Sequence, residues 1–483
     1  MTTPTQVQPT TRPTTRPSPD RAKQPTPTLT FLGAAGTVTG SRFLVGRPEP
    51  LLLVDAGLYQ GPSDLRRRNW EPLPLDASRL AAVVLTHAHL DHCGYLPRLV
   101  RDGFRGPVVC TPQTADLAEI VLRDSAHLQE EDAEYANRAG WSRHDPALPL
   151  YDTADAEASI RLFSPVDYRW PVPLGDGVEV TLHPAGHILG SAVVDLHVDG
   201  RHVAFSGDLG RPGHPLLRPP GPPPTAGTLV LESTYGDRSH PAAGPALLAG
   251  AVRRTIGRGG SVLIPAFAVD RTELVLLELA RLTEEGRIPR VPVYVDSPMA
   301  LRALDVYRRS LREGSIQFDE GAAALLTLDD VLDLHRVSDV AGSQELNSPT
   351  YPSIVVSASG MATGGRVVHH LKHQLDDSRN CVVLAGYQAE GTRGRQLLDG
   401  AGHLKMHGRY VQVRADIVQV PYFSVHADSD DLVAWVASAE EPPRTVYVVH
   451  GEADASRVLA RRLEDELGIC AVVPGLGERV RLD

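Results

Sequence analysis

The sequence predicts an α/β protein of two units, the second inserted into the first. Three observations carry this expectation. The folded part opens with short apolar runs punctuated by glycine, as in hairpins. From Thr228 onward, helical and strand-like segments alternate in the manner of a parallel α/β unit. Beyond residue 415 the chain returns to strands that end in polar residues, among them His450.

The elements follow in order. Residues 1–27 are mostly Thr and Pro, with no apolar stretch that could form a signal-peptide core, and read as a disordered tail. Residues 29–32 and 42–45 form a hairpin around Gly33, Gly36 and Gly40, and residues 51–54 add a strand closed by Asp55 and Gly57. Residues 81–85 are a β-branched run that ends in Thr86 and the cluster His87-Ala88-His89-Leu90-Asp91-His92, with a helix after it over 94–100. Residues 116–138 have helical spacing, and Glu130, Glu131, Asp132 and Glu134 read as a solvated face. Strands recur at 178–182, 192–197 and 202–205, and the Pro-rich stretch 212–224 reads as a linker or surface loop. The alternating region then gives strands at 228–231, 261–264, 293–295, 354–356 and 381–384, with helices over 246–255 and 272–282. Strands at 417–420 and 445–449, with a helix over 430–438 between them, complete the series.

Composition narrows the class of function. The chain has 483 residues, 42% hydrophobic and 22% charged, which supports a large core, and no run of apolar residues long enough to span a membrane. A net charge of −11 argues against a protein that coats nucleic acid with a basic surface, so any nucleic-acid site must be local. Among 48 basic residues only Lys23, Lys372 and Lys405 are lysine. Four scattered cysteines, Cys93, Cys110, Cys381 and Cys470, lack CxxC spacing and suit reduced thiols in a cytoplasmic protein, with Cys93 set apart by its neighbours.

The chemistry lies in the histidines. His87-x-His89-x-Asp91-His92 follows a strand directly, so its side chains fan from one turn. Imidazole nitrogens and a carboxylate oxygen are the ligands zinc takes, at about 2.0 to 2.2 Å. His187, Asp208 and His450 stand at three further strand ends, and strand ends gather at one edge of a sheet. Seven such groups exceed one tetrahedral zinc but suit two ions sharing a carboxylate, for which Asp208 is the candidate. His450 can reach His87 and Asp208 only if the chain returns after the alternating unit, which makes that unit an insertion. His369, His370, His373, His403 and His407 carry no assignment; the first three read as a helix start.

His87-x-His89-x-Asp91-His92, the segment 185–191 and Ser206-Gly207-Asp208 resemble the metallo-β-lactamase superfamily. Glu232-Ser233-Thr234-Tyr235-Gly236, Ser424-Val425-His426-Ala427-Asp428 and Val449-His450-Gly451-Glu452 resemble its β-CASP branch, which acts on nucleic acids. Gly186 to Ser191 is similar to the version in the nuclease subunit of the pre-mRNA 3′-end cleavage and polyadenylation specificity factor and its bacterial and archaeal relatives. The resemblance runs from about Leu29 to the C-terminus.

It implies an αββα metallo-β-lactamase sandwich formed by residues 28–235 and 415–483, with a β-CASP α/β cap at 236–414. It also implies two Zn2+, one on His87, His89 and His187, the other on Asp91, His92 and His450, bridged by Asp208, with Asp55 supporting the ligands from behind. His426 takes the place of the acid that protonates the leaving 3′-oxygen, and Glu232 that of the carboxylate beside it. Arg271 resembles a loop residue that holds a phosphate, although Asp270 stands where the family more often has Gly. Ser359 and Gly360 belong to a second Gly-rich segment of the same kind, read as a phosphate contact, with helix capping as the alternative.

The function implied is a zinc-dependent ribonuclease, an endonuclease, a 5′ exonuclease or both, in RNA processing or decay. Its partner is single-stranded RNA in the cleft between units, its products are 5′-phosphate and 3′-hydroxyl ends, and the family suggests a homodimer. A small-molecule metallo-hydrolase of the same fold, a thioesterase or lactonase, would not need the long insertion between Glu232 and His426. A non-catalytic RNA-binding scaffold would not need every ligand candidate together with His426 and Glu232.

Overall fold

The computed structural model describes residues 26–46, 51–140, 142, 144–240 and 244–482. Nearly all of the Thr/Pro-rich tail lies outside the described residues.

Two seven-stranded sheets face each other. The first runs, in spatial order, Arg479–Arg481, Thr28–Phe31, Phe43–Gly46, Leu51–Val54, Leu80–Val84, Val108–Cys110 and Phe163–Pro165. The second runs Cys470–Val472, Thr445–Val449, Thr228–Glu232, Arg201–Phe205, Ala192–Val198, Val178–Pro184 and Val172–Gly175. Strand periodicity explains their packing. In Ala192–Val198 the even positions Ala192, Val194, Leu196 and Val198 enter the core between the sheets, against Leu29, Leu52, Val54 and Val84. The odd positions face outward, where Val193 meets the helices Ser429–Ala437 and Ala453–Leu467 through Leu432, Val436 and Leu459.

The long helix Pro112–Ala139 packs on the other side. Thr111 caps it by accepting from the Thr114 amide, and Gly140, at φ 64°, ends it. Leu117, Ala118, Val121 and Leu122 form its buried face, while Glu131, Asp132 and Glu134 lie in solvent as their spacing predicts. The result is the expected αββα sandwich.

The inserted unit is built on a six-stranded sheet of order Asp333–Arg336, Pro292–Val295, Ile354–Ser357, Val262–Pro265, Cys381–Leu384 and Asp416–Gln419. Every pairing in it is parallel. Its central strands are buried throughout, which accounts for their unbroken apolar sequence. Entry and exit of the insertion are neighbours: Thr228–Glu232 pairs in parallel with Thr445–Val449, which sets Glu232 beside Val449 and therefore next to His450.

Three details depart from the sequence expectations. Asp416–Gln419 is an edge strand of the six-stranded sheet, so that sheet runs past residue 415 before the chain re-enters the sandwich. The Pro-rich connection is no free linker, because Leu216 and Leu217 are fully buried and Arg218 donates its amide to the Gln317 carbonyl at 2.8 Å. His369, His370 and His373 lie within the helix Arg366–Gln374 rather than at its start, and buried His370 bonds Asp296. The helices Pro298–Arg312 and Ala453–Leu467, the strand Arg479–Arg481 and the hairpin of His403–Met406 with Arg409–Gln412 are additional to the predicted elements. Among the described residues no helix is long and apolar enough to cross a membrane.

Candidate metal centre and active site

The seven ligand candidates converge. After Leu80–Val84 the chain turns through His87 and His89, and the short helix Leu90–Cys93 carries Asp91 and His92. His187 follows Val178–Pro184, Asp208 follows Arg201–Phe205, and His450 follows Thr445–Val449 at a φ of 50°. One group of ligand atoms comes from His87, His89, His187 and Asp208, and a second from Asp91, His92 and His450. Asp208 touches both: Oδ2 is 3.6 Å from His87 Nε2 and from His187 Nε2, while Oδ1 is 3.3 Å from His92 Nε2 and from His450 Nδ1.

These contacts fit cations. His87 Nε2 and His89 Nδ1 are 3.1 Å apart, as are His92 Nε2 and His450 Nε2. That is near the edge, about 3.3 Å, of a tetrahedron of ligands around a zinc-sized ion. Asp208 Oδ1 is buried and makes no hydrogen bond, a group left for an ion to satisfy. Burial holds the His87 and His187 rings well below the usual histidine pKa, with His92 and His426 respectively adding to it, so both offer neutral nitrogens. Burial opposes ionisation of Asp208, but His450, His92 and His87 outweigh it and hold the carboxyl well below the usual carboxylate range.

Asp55, at φ 60°, stands behind the cluster. It accepts from the Thr86 amide at 2.8 Å and the Ser41 hydroxyl at 3.0 Å, and its Oδ2 lies 2.7 Å from His92 Nδ1. This bond fixes the ring so that Nε2 faces Asp208 and His450. Cys93 belongs to neither ligand group: its thiol donates to the Ala88 carbonyl at 3.4 Å, and burial pushes its pKa well up.

His426 and Glu232 also meet. Glu232 is fully buried at the end of its strand, where Oε1 accepts from the Leu209 amide at 2.6 Å and Oε2 from the Thr234 amide at 3.2 Å. His426 Nδ1 lies 3.3 Å from Oε1, and its ring centroid is 4.5 Å from that of His187. Burial disfavours the imidazolium, but the charge and hydrogen bond of Glu232 and the charge of Asp208 outweigh it, and the pKa of His426 is raised. His240, which no sequence motif marks, donates from Nε2 to the His426 carbonyl at 2.7 Å. The Tyr235 ring stacks on His426, 6.1 Å between centroids at an interplanar angle of 22°.

Arg271 opens the helix Arg271–Glu284 and is buried; Nη1 donates to the Ala385 carbonyl at 3.3 Å, and burial pushes its pKa down to about 10. Asp270 has φ 67°, which explains why glycine suits this position. Its carboxylate accepts from the Tyr307 hydroxyl at 3.0 Å and faces His214 Nε2 at 3.3 Å, so it braces the turn instead of entering the site. Gly360 packs against Phe267, whose ring centroid is 6.4 Å from that of His89, and this brings the Ser359 loop towards the rim of the cluster. The Ser359 hydroxyl pairs with Thr363 at 3.0 Å.

The fold and this donor set define a metallo-hydrolase, and comparison with known proteins agrees. The metallo-β-lactamase superfamily model matches residues 35–240, the Beta-Casp domain 272–397, and the Zn-dependent metallo-hydrolase RNA specificity domain 410–474. Ribonuclease TTHA0252 of Thermus thermophilus is 36% identical over 437 residues, covering 89% of this chain and 94% of that protein. Transcription termination factor FttA of Pyrococcus horikoshii is 33% identical over 482 residues, covering 94% of this chain and 71% of that protein. A crystal structure of a protein of unknown function from Enterococcus faecalis shares the fold, with a TM-score of 0.53 and 16% identity over 95% of this chain and all of that one. The chain belongs to the β-CASP family of the metallo-β-lactamase superfamily.

Proposed function

We propose that this protein hydrolyses RNA phosphodiester bonds at a di-zinc centre, giving 5′-phosphate and 3′-hydroxyl ends. One zinc is assigned to His87, His89 and His187 and the other to Asp91, His92 and His450. The observation that carries the reading is the position of Asp208 between the two groups, with one carboxylate oxygen turned to each. Two zinc ions, when bound there, would supply a water that deprotonates near neutral pH and would neutralise charge on the phosphoryl group.

The chain's own residues do the rest. Asp208 and Asp91 bring the negative charge that holds the cations, and Asp55 fixes the tautomer of His92. His426, kept protonated by Glu232, gives its proton to the leaving 3′-oxygen. Arg271 and the Ser359–Gly360 loop are assigned to the substrate phosphates, the former because its buried Nε makes no hydrogen bond. RNA as substrate is supported by the RNA specificity domain model and by the ribonuclease among the relatives, and the substrate assigned is single-stranded RNA. Binding in the cleft between sandwich and insertion reconciles RNA with the net charge of −11. The division at 28–235, 236–414 and 415–483, with the edge strand Asp416–Gln419 counted to the inserted unit, a homodimer and a cytoplasmic location complete the proposal.

Labelled RNA tests it. RNA labelled at the 5′ or the 3′ end is incubated with zinc-loaded wild type and with His426→Ala. Wild type is expected to yield 5′-phosphate products, and the variant to lose about 10²- to 10⁴-fold in turnover while keeping zinc and RNA binding. Cleavage of a thioester or nitrocefin with RNA left intact would favour the small-molecule hydrolase. RNA bound but uncut would favour the scaffold.

A further inference from the structure

The outer face of the second sheet carries another set of metal-ligating side chains. Ala192–Val198 and Arg201–Phe205 are antiparallel neighbours, and their register sets His197 opposite His202. Asp195, two residues before His197, shares that face. Its Oδ1 lies 3.5 Å from His197 Nε2, and its Oδ2 lies 3.9 Å from His183 Nε2 on the next strand. The His197 and His202 rings overlap, with centroids 3.5 Å apart and an interplanar angle of 36°. One ligand atom from each of Asp195, His197 and His202 lies within 4.8 Å of the others.

Folding alone gives no reason for this arrangement. Asp195 Oδ1 and His183 Nε2 are shut off from solvent and make no hydrogen bond, which is destabilising unless another partner arrives. A cation held by the three groups would satisfy the carboxylate and turn two crowded imidazoles into co-ligands. The group shares no residue with the seven-ligand cluster, and its side chains point away from the core between the sheets, which Val194 and Leu196 enter.

We propose that Asp195, His197 and His202 form a separate site for a divalent transition-metal ion of the zinc type, with His183 as the nearest further donor. Two imidazoles and a carboxylate match zinc in kind, whereas magnesium and calcium favour sites built of oxygen. His197 and Asp195 have side-chain exposures of 37% and 15%, so the group is reachable from solvent. A bound ion would tie together two adjacent strands of the sheet, one of which, Arg201–Phe205, leads to Asp208.

Calorimetric zinc titration of the full-length zinc-loaded protein tests this, with wild type and the double variant His197→Gln/His202→Gln run side by side. Wild type is expected to take up one equivalent more than the double variant, with RNA cleavage the same in both. Asp195→Asn is expected to weaken that equivalent at least about tenfold, and it supplies the comparison if the double variant fails to fold. The difference between proteins reads the outer-face site whatever the occupancy of the seven-ligand cluster, so failure here leaves the nuclease reading standing. Equal uptake by wild type and variants would overturn the proposal. Equal binding of magnesium at the same site would overturn the assignment to a transition metal.

Discussion

His426 Nδ1 lies 3.3 Å from Glu232 Oε1; Glu232 ends the strand that enters the insertion, and His426 lies in the loop before the helix Ser429–Ala437 that follows it. Glu232 is held by the Leu209 and Thr234 amides, so it presents a fixed negative charge to the ring. A positive charge on His426 is thereby favoured despite burial.

The pH profile of Glu232→Gln follows from this pair. If His426 acts as an acid, activity is present below its pKa and lost as pH rises through it. Glutamine removes the main influence that raises this pKa, while Asp208, which raises it, and Arg271, which lowers it, remain in place. The alkaline limb of kcat/KM should therefore move to lower pH in the variant. An unmoved limb would exclude His426 as the titrating acid.

Asp55→Ala should weaken metal binding. It removes the partner 2.7 Å from His92 Nδ1 and leaves the Thr86 amide and the Ser41 hydroxyl without their acceptor. A loss of about 10- to 100-fold in zinc affinity is expected, read by competition with a chromogenic chelator. Unchanged affinity would mean that the ring is held without the carboxylate.

The ion-pair network of the inserted unit should make it sensitive to acid. Asp296 is fully buried and accepts from Ser343, Arg366 and His370, each at 2.6 Å. Burial opposes ionisation, but hydrogen bonds from His370, Ser343 and Arg366 outweigh it and depress the carboxyl pKa. A carboxylate with a depressed folded pKa contributes stability that is present above its unfolded value, about 3.9, and lost as pH falls through the folded value. Asp296→Asn should cost about 3 kcal/mol at neutral pH and should lack that acid-linked loss. Urea unfolding at pH 7 and below pH 4 checks both.

The seven ligand candidates were legible because they follow strand ends, four of them within the six residues His87 to His92 just after Leu80–Val84. The parallel sheet was legible because buried strands such as Ile354–Ser357 read as unbroken apolar runs. The role of the Pro-rich connection was not, because burial of Leu216 and Leu217 depends on distant Gln317 and Phe318. Asp195, His197 and His202 form no sequence motif, because they gather only once strand register sets residue 197 opposite 202. His240 reaches His426 through a backbone carbonyl, a contact that leaves no motif.

The central claim is that Asp208 joins two metal positions into one hydrolytic centre. Metal content and RNA cleavage measured on the same preparations of wild type and Asp208→Ala address it most directly. The account predicts two zinc ions per chain at the seven-ligand cluster in wild type, counted after subtracting any held at the Asp195 site. It also predicts loss of both cleavage and bound zinc in the variant. A cleaving wild type with no transition metal, or a variant that keeps full zinc content and full activity, would contradict it.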